Sequence, residues 1–140
     1  MKTIVVDASV AVKWFFSEIH SEAACRLLKV QQELLAPDLI WAEVANAIWK
    51  KLRNSQITSE EARGVLQEFK RLPLETYASK ALLESAWDLA EPMGITIYDS
   101  LYLALALSRD CALITADRTF YSTLQGKPLA STLMWIEHAS

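Results

Sequence analysis

Four carboxylates stand where packing alone gives no reason for a charge. Asp7 lies in TIVVDASVAVKWF, Glu43 in PDLIWAEVANAIWK, Asp99 in TIYDSLYLALALS and Asp117 in CALITADRTF. Each sits in or at the edge of an apolar segment, where an ionised carboxylate is costly unless it is paired or coordinates a metal. Four such placements point to one shared cation site and to metal-dependent hydrolysis. Clustered carboxylates raise one another's pKa, a divalent ion relieves that repulsion, and a ligand set made only of oxygens suits Mg²⁺ or Mn²⁺.

Taken singly, each acid has a structural explanation. Asp7, Asp99 and Asp117 fit helix caps or turns, and Glu43 fits an ion pair with Lys50 or a nearby Arg. The conjunction of all four favours the functional reading. Ser9 is placed either to hydrogen-bond a ligand carboxylate or metal-bound water, or to cap the next helix. Thr115 is placed to orient Asp117 through its hydroxyl, although β-propensity alone explains it equally well. Lys13 and Arg118 follow two of the acids and are candidates for holding phosphate oxygens of a substrate, with a solvated surface role as the alternative. Lys50, Lys51 and Arg53 read as a solvated, dipole-favoured helix end, Asp38 as a helix cap, and Trp41, Trp49 and Trp87 as core packing. His20 and His138 read as exposed polar residues with no zinc signature.

The elements that must carry these residues alternate between strand and helix. Ile4 to Val6 is a β-branched run read as a buried strand ending at Asp7. A short helix follows over Ser9 to Phe16. Ser21 to Gln32 forms a helix with Ala24, Leu27, Leu28 and Val30 as its apolar stripe. Leu34 to Ala36 is a second strand, and Pro37 and Asp38 open a helix running to Arg53. Thr58 and Glu61 have capping-box spacing ahead of Ala62, Val65, Leu66 and Phe69. Leu72 to Tyr77 is a strand, with Pro73 favouring its start or an edge. Lys80 to Met93 is a helix stopped by Gly94, and the helix after Thr96 is apolar nearly all round, which places it at the domain centre. Ala112 to Thr115 is a strand, Arg118 to Leu124 a helix, and Leu133 to Ile136 a last strand. The pattern predicts a three-layer α/β/α sandwich around a mostly parallel sheet, with Asp7 and Asp117 at the carboxyl ends of strands, where crevices form.

Composition narrows the setting. The 140 residues fit one globular domain over 1–140, being 52% hydrophobic and 22% charged. A formal charge of −3 argues against broad electrostatic binding of nucleic acid, so any polyanion must be held by a local patch. Cys25 and Cys111 form no disulfide framework, which suits a reducing compartment. LYLALAL is too short to span a bilayer, and Asp7 interrupts the first apolar run before a signal-peptide core forms. These points lead to the expectation of a cytoplasmic protein with no membrane partner.

The ordered set VVDASVAVKWF, PDLIWAEVANAIWK, YDSLYLALAL and ITADRTF resembles the PIN-domain family, and most closely its bacterial VapC-type toxin members, over nearly the whole chain. The resemblance implies a five-stranded parallel sheet and a Mg²⁺- or Mn²⁺-dependent endoribonuclease, with Asp7, Glu43 and Asp99 as the principal metal-site acids and Asp117 as the fourth. It also implies control by a small VapB-type antitoxin, homodimers and toxin–antitoxin hetero-oligomers. The helix from Asp38 to Arg53 supports a partner independently. Ile40, Trp41, Val44, Ile48, Trp49 and Leu52 give it more apolar width than one core-facing stripe requires. Other readings are a PIN-like scaffold that binds RNA or protein without cutting, and a receiver-like phosphoacceptor domain. Lys127 and Pro128 fit the receiver pattern superficially, but the first strand ends in one acid instead of a pair and no Asp lies near Leu72 to Tyr77.

Overall fold

A computed structural model describes residues 2–139. Its single sheet contains β1 (Lys2–Val6), β2 (Gln32–Pro37), β3 (Leu74–Tyr77), β4 (Ala112–Thr115) and β5 (Leu133–Trp135), all parallel, in the order β3-β2-β1-β4-β5. β1 is central because Ile4, Val5 and Val6 are buried on both faces, as a parallel strand covered by helices must be. The chain runs outward from β1 through β2 to β3, then returns to β4 on the other side of β1. The β1–β4 junction is therefore the point where strand order reverses, and a crevice opens there at the carboxyl edge.

Helices α1 (Ala8–Ala11), α2 (Ser21–Lys29), α3 (Leu39–Arg53), α4 (Ser59–Lys70), α5 (Ser79–Met93), α6 (Ile97–Ser108) and α7 (Arg118–Leu124) complete the three-layer α/β/α sandwich. α6 lies against β1, β2 and β4, and every residue from Ser100 to Ala106 is buried. Thr96 starts it by accepting the Asp99 amide on its hydroxyl at 3.0 Å. The Thr58–Glu61 capping box opens α4, and Gly94, at φ 67°, ends α5 in a left-handed conformation that a side chain would strain.

Several expectations shift. The segment after β1 is one short α-helix followed by a 3₁₀ turn over Val12–Trp14. α2 stops at Lys29, and Leu28 and Val30 are exposed because the stripe on the sheet is carried by Ala23, Ala24 and Leu27. β3 begins at Leu74, after Pro73, at the sheet edge. Asp38 does not cap α3. Its Oδ1 instead accepts the Ser79 hydroxyl at 2.6 Å and the Ser79 amide at 3.0 Å, tying α3 to the start of α5. His20 is half-buried with its ring edge-on to Trp135, not an exposed residue.

The tryptophans divide. Trp41 packs on Phe69, with ring centroids 4.8 Å apart. Trp49 and Trp87, expected in the core, are 52% and 71% exposed. On α3 the core positions are Ile40, Val44 and Ile48, a single i, i+4 row, which leaves Trp49 on a neighbouring face.

Candidate active site at the carboxyl edge of the sheet

The parallel register of β1 and β4 pairs Val6 with Ile114, so the next residues, Asp7 and Thr115, stand side by side where the strands end. Asp7 is 4% exposed and caps α1 by accepting the Val10 amide on Oδ1 at 3.2 Å. The Ser9 hydroxyl donates to the same oxygen at 2.5 Å, and the Thr115 hydroxyl donates to Oδ2 at 2.5 Å. Both hydroxyls are themselves held: Ser9 accepts the Ala116 amide at 2.9 Å and Thr115 accepts the Asp117 amide at 3.0 Å. Burial raises the Asp7 pKa to about 6, outweighing the Ser9, Thr115 and Val10 donors, which lower it; the charge of Asp117 adds to the rise.

The other acids converge on this edge from three helices. Asp99, half-buried in the first turn of α6, has its pKa raised to about 7, first by burial and then by the charges of Asp7, Asp117 and Glu43. All four carboxylates thus share one electrostatic neighbourhood. Glu43, midway along α3, is half-buried and also raised by burial, against the lowering effect of the Tyr102 hydroxyl, which donates to Oε1 at 2.7 Å. Asp117 caps α7, with Oδ1 accepting the amides of Thr119 and Phe120 at 3.0 and 3.2 Å.

The oxygens differ in what remains free. Among the described residues no protein donor reaches Glu43 Oε2 or Asp117 Oδ2, and the Asp99 carboxylate has the Thr96 hydroxyl beside it, whereas both oxygens of Asp7 are engaged. Among the described residues, no three His, Cys, Asp or Glu side chains form a ready-made cation-binding group. The donor chemistry nevertheless fits a hard divalent ion: oxygen ligands only, uncommitted lone pairs on three of the acids, and mutual repulsion a cation would relieve.

Of the supporting residues, Ser9 and Thr115 both serve Asp7. Thr115 reaches across to the neighbouring strand with its hydroxyl proton and touches Asp117 only by accepting its amide. Lys13 does not face the acids. The 3₁₀ turn buries it and places Nζ 3.2 Å from Glu18, whose other oxygen takes Lys51 at 3.1 Å. Arg118 is exposed beside Asp117, with its guanidinium 3.9 Å over the Trp135 ring. Two further features were missed. Tyr102 meets Glu43, signalled only by a phenol inside an apolar run three residues after Asp99. An open cleft of about 250 Å³ joins Ala8, Ser9 and Val12 to Glu43, Asn46, Ala47 and Lys50 on one face of α3, so Lys50, not Lys13, is the lysine beside the acids.

The family model for the PIN domain matches residues 4–123, which contain all four acids. The chain belongs to the PIN-domain family. Ribonuclease VapC3 of Pyrobaculum aerophilum is 40% identical over 119 residues, covering 82% of this chain and 89% of that protein. Among solved structures, the sarcin-ricin-loop-cleaving toxin VapC20 of Mycobacterium tuberculosis superposes with a TM-score of 0.65 at 14% identity, covering 85% of this chain and 93% of the other. A toxin–antitoxin complex from Klebsiella pneumoniae gives 0.61 at 16% identity, covering 94% and 95%. The two structures share the fold of this PIN domain. Among the described residues, no helix is long and apolar enough to cross a membrane.

Proposed function

We propose that this chain is a metal-dependent endoribonuclease and the toxin of a VapBC-type pair, acting as a single nuclease domain over residues 1–140. The observation that carries the reading is Asp99. Its carboxyl is raised to about 7 by burial and by three neighbouring acids, which outweigh the lowering effect of the Thr96 hydroxyl beside it. Such a group costs the fold stability, and a bound divalent cation would relieve that cost. Kinship with a protein named ribonuclease VapC3 supports RNA as the substrate.

Asp7, Asp99 and Glu43 are the residues that would hold Mg²⁺ or Mn²⁺, with Asp117 as the fourth acid. The chemistry such an ion would supply there is a lowered pKa for a coordinated water and polarisation of the scissile phosphate. Ser9 and Thr115 keep the Asp7 carboxylate in one orientation through the hydrogen bonds already described. The uncommitted Oδ2 of Asp117 is available to accept a proton from an attacking water. Lys50, in the cleft with Glu43 and without an ion pair among the described residues, and Arg118, beside Asp117, supply positive charge for phosphate oxygens.

The antitoxin reading is supported by a groove between α3 and α4. It has a volume of about 350 Å³ and is lined by Ala45, Ile48, Trp49 and Leu52 on one side and Ala62, Arg63 and Leu66 on the other. An amphipathic partner helix fits such a groove, and an arginine carried by that partner would pair with the acid cluster. Exposed Leu83, Trp87 and Tyr98, at 48%, 71% and 59%, support self-association into a homodimer. Free Cys25 and Cys111 accord with a reducing cytoplasm. The test is incubation of the purified chain with total cellular RNA in Mg²⁺, Mn²⁺ or EDTA, with mapping of the ends. Cuts that need the ion and vanish in Asp99→Asn are the expected result. Cutting that continues in EDTA would sink the site chemistry. Co-expression with the small reading frame beside its gene tests the antitoxin by co-purification and suppression of cleavage.

A further inference from the structure

Tyr102 stands inside the most apolar helix of the chain, 1% exposed, between Leu101 and Leu103. Packing alone would be served there by Phe or Leu. A phenol hydroxyl in such a place is costly unless it finds a partner. Its partner is Glu43 Oε1 at 2.7 Å, and among the described residues this is the one hydrogen bond made by the Tyr102 hydroxyl and the one received by the Glu43 carboxylate. The contact spans two elements that share no other polar tie at this point, α3 and α6. Asp99 lies one turn before Tyr102 on α6, so the helix that presents one acid also holds the other.

Glu43 needs such a hold. It is a long side chain midway along α3, and ordering it costs rotamer freedom that Asp7, clamped at a strand end, has already lost. The Tyr102 hydroxyl is the donor in this contact and Glu43 Oε1 the acceptor. A donor to one oxygen leaves Oε2 for other use.

We infer that Tyr102 is a positioning residue for the acid site, its buried hydroxyl locking Glu43 by one carboxylate oxygen so that the other is presented to a divalent cation. The inference rests on the proposed nuclease reading. It adds a residue that acts through Glu43 and touches neither ion nor RNA.

Tyr102→Phe keeps the ring and removes the hydroxyl. Mn²⁺ binding by the metal-free chain, followed by calorimetry, should weaken by about 10- to 100-fold in Tyr102→Phe, the usual cost of losing a residue that orients a ligand. In a Glu43→Ala background the same substitution should change Mn²⁺ affinity by less than about twofold, because the group through which it acts is gone. A merely structural role, disturbing α6 and Asp99, would weaken binding equally in both backgrounds, and that outcome overturns the inference. So does wild-type affinity in Tyr102→Phe. A readout without metal separates this inference from the nuclease reading: side-chain ¹³C relaxation of Glu43 in the metal-free chain. Loss of order in Tyr102→Phe is expected even if the wild type proves to bind no Mn²⁺ and cut no RNA, in which case the nuclease reading fails and the hold on Glu43 stands. Unchanged order refutes the positioning role.

Discussion

Asp7 and Asp99 are held in opposite ways. Asp7 ends a central strand, is buried, and has both oxygens occupied by Ser9, Val10 and Thr115. Asp99 stands in the first turn of a helix with its backbone capped by Thr96, and its carboxylate meets the Thr96 hydroxyl and the charges of the other acids. One acid is built into the fold and the other is exposed to whatever enters the crevice. A cation site needs both kinds: a fixed ligand that defines the position and less committed ones whose repulsion the ion relieves.

The sharpest way to break this contrast is to neutralise each acid. Asp7→Asn and Asp99→Asn should each lower RNA cleavage by at least about 100-fold, since each removes a ligand charge, a larger change than losing an orienting neighbour. Stability should separate them. Asp99→Asn removes a carboxylate pushed up by burial and three acids, offset by the helix-dipole interaction of its position, for a net gain of about 1 kcal/mol once partial exposure is allowed for. Asp7→Asn puts an amide NH₂ against hydroxyls that now donate, and should be level or lose about 1 kcal/mol. The melting order in EDTA checks this. If Asp7→Asn melts above Asp99→Asn, the two acids are not held as described.

A pH series in EDTA tests the same difference through linkage. Both carboxyls sit above their ordinary value of 3.8 in the folded chain, Asp7 at about 6 and Asp99 at about 7, so between those limits the native state binds more protons than the unfolded one. Their contribution to stability is fully present below the unfolded value and is lost as pH rises through the folded ones. The difference in melting temperature between Asp99→Asn and wild type should therefore grow from about pH 4 and level off just above 7. Saturating Mn²⁺ should reverse the loss, adding about 2.7 kcal/mol at one hundred times its Kd. A difference curve flat across this range would show that Asp99 does not feel the other acids.

The contrast between committed and open groups extends to two lysines. Lys13 is buried against Glu18, and Lys50 lines the cleft beside Glu43. Lys13→Ala should cost about 1 to 3 kcal/mol of stability and leave the apparent affinity for RNA unchanged. Lys50→Ala should do the reverse: a KM several-fold higher, a shallower salt dependence of RNA binding, and an unchanged melting temperature. If Lys13→Ala altered the salt slope, the assignment of phosphate contacts would have to move back to it.

These lysines also show what the sequence could carry. Apolar runs and cap residues specified nearly every element, and β4 and α7 fall on the expected residues because Thr115 and Asp117 punctuate them. All four acids were legible for the same reason, a charge set against an apolar background. Side-chain partners across the sheet were not. Lys13 was taken by Glu18 through a 3₁₀ turn that periodicity does not reveal, and Asp38 was drawn to Ser79 on another helix. Trp49 and Trp87 misled because hydrophobicity specifies that a residue prefers cover, not that the chain itself provides it. The sequence leaves Thr115 open between orienting the acid two residues along and a plain strand role, and only the β1–β4 register shows that its hydroxyl proton goes to Asp7.

The smallest expected effect is at that hydroxyl. Thr115→Val keeps the β-branched shape in a fully buried position and deletes the donor to Asp7 Oδ2 together with the acceptor of the Asp117 amide. Asp7 retains Ser9 and Val10 on Oδ1, so its carboxylate pivots about one oxygen instead of being fixed by two. Losing a donor to the charged form should raise its pKa further, and the acidic limb of the cleavage profile should move to higher pH. Stability should fall by about 1 kcal/mol, the cost of leaving a buried polar group without its partner, while kcat at the pH optimum falls about tenfold or less. Thr115→Ser, which restores the hydroxyl and removes a methyl, should recover the pH profile but not the lost packing. If Thr115→Ser and Thr115→Val shifted the acidic limb equally, the hydroxyl would have no part in holding Asp7, and the clamp that distinguishes Asp7 from Asp99 would reduce to Ser9 and the cap of α1.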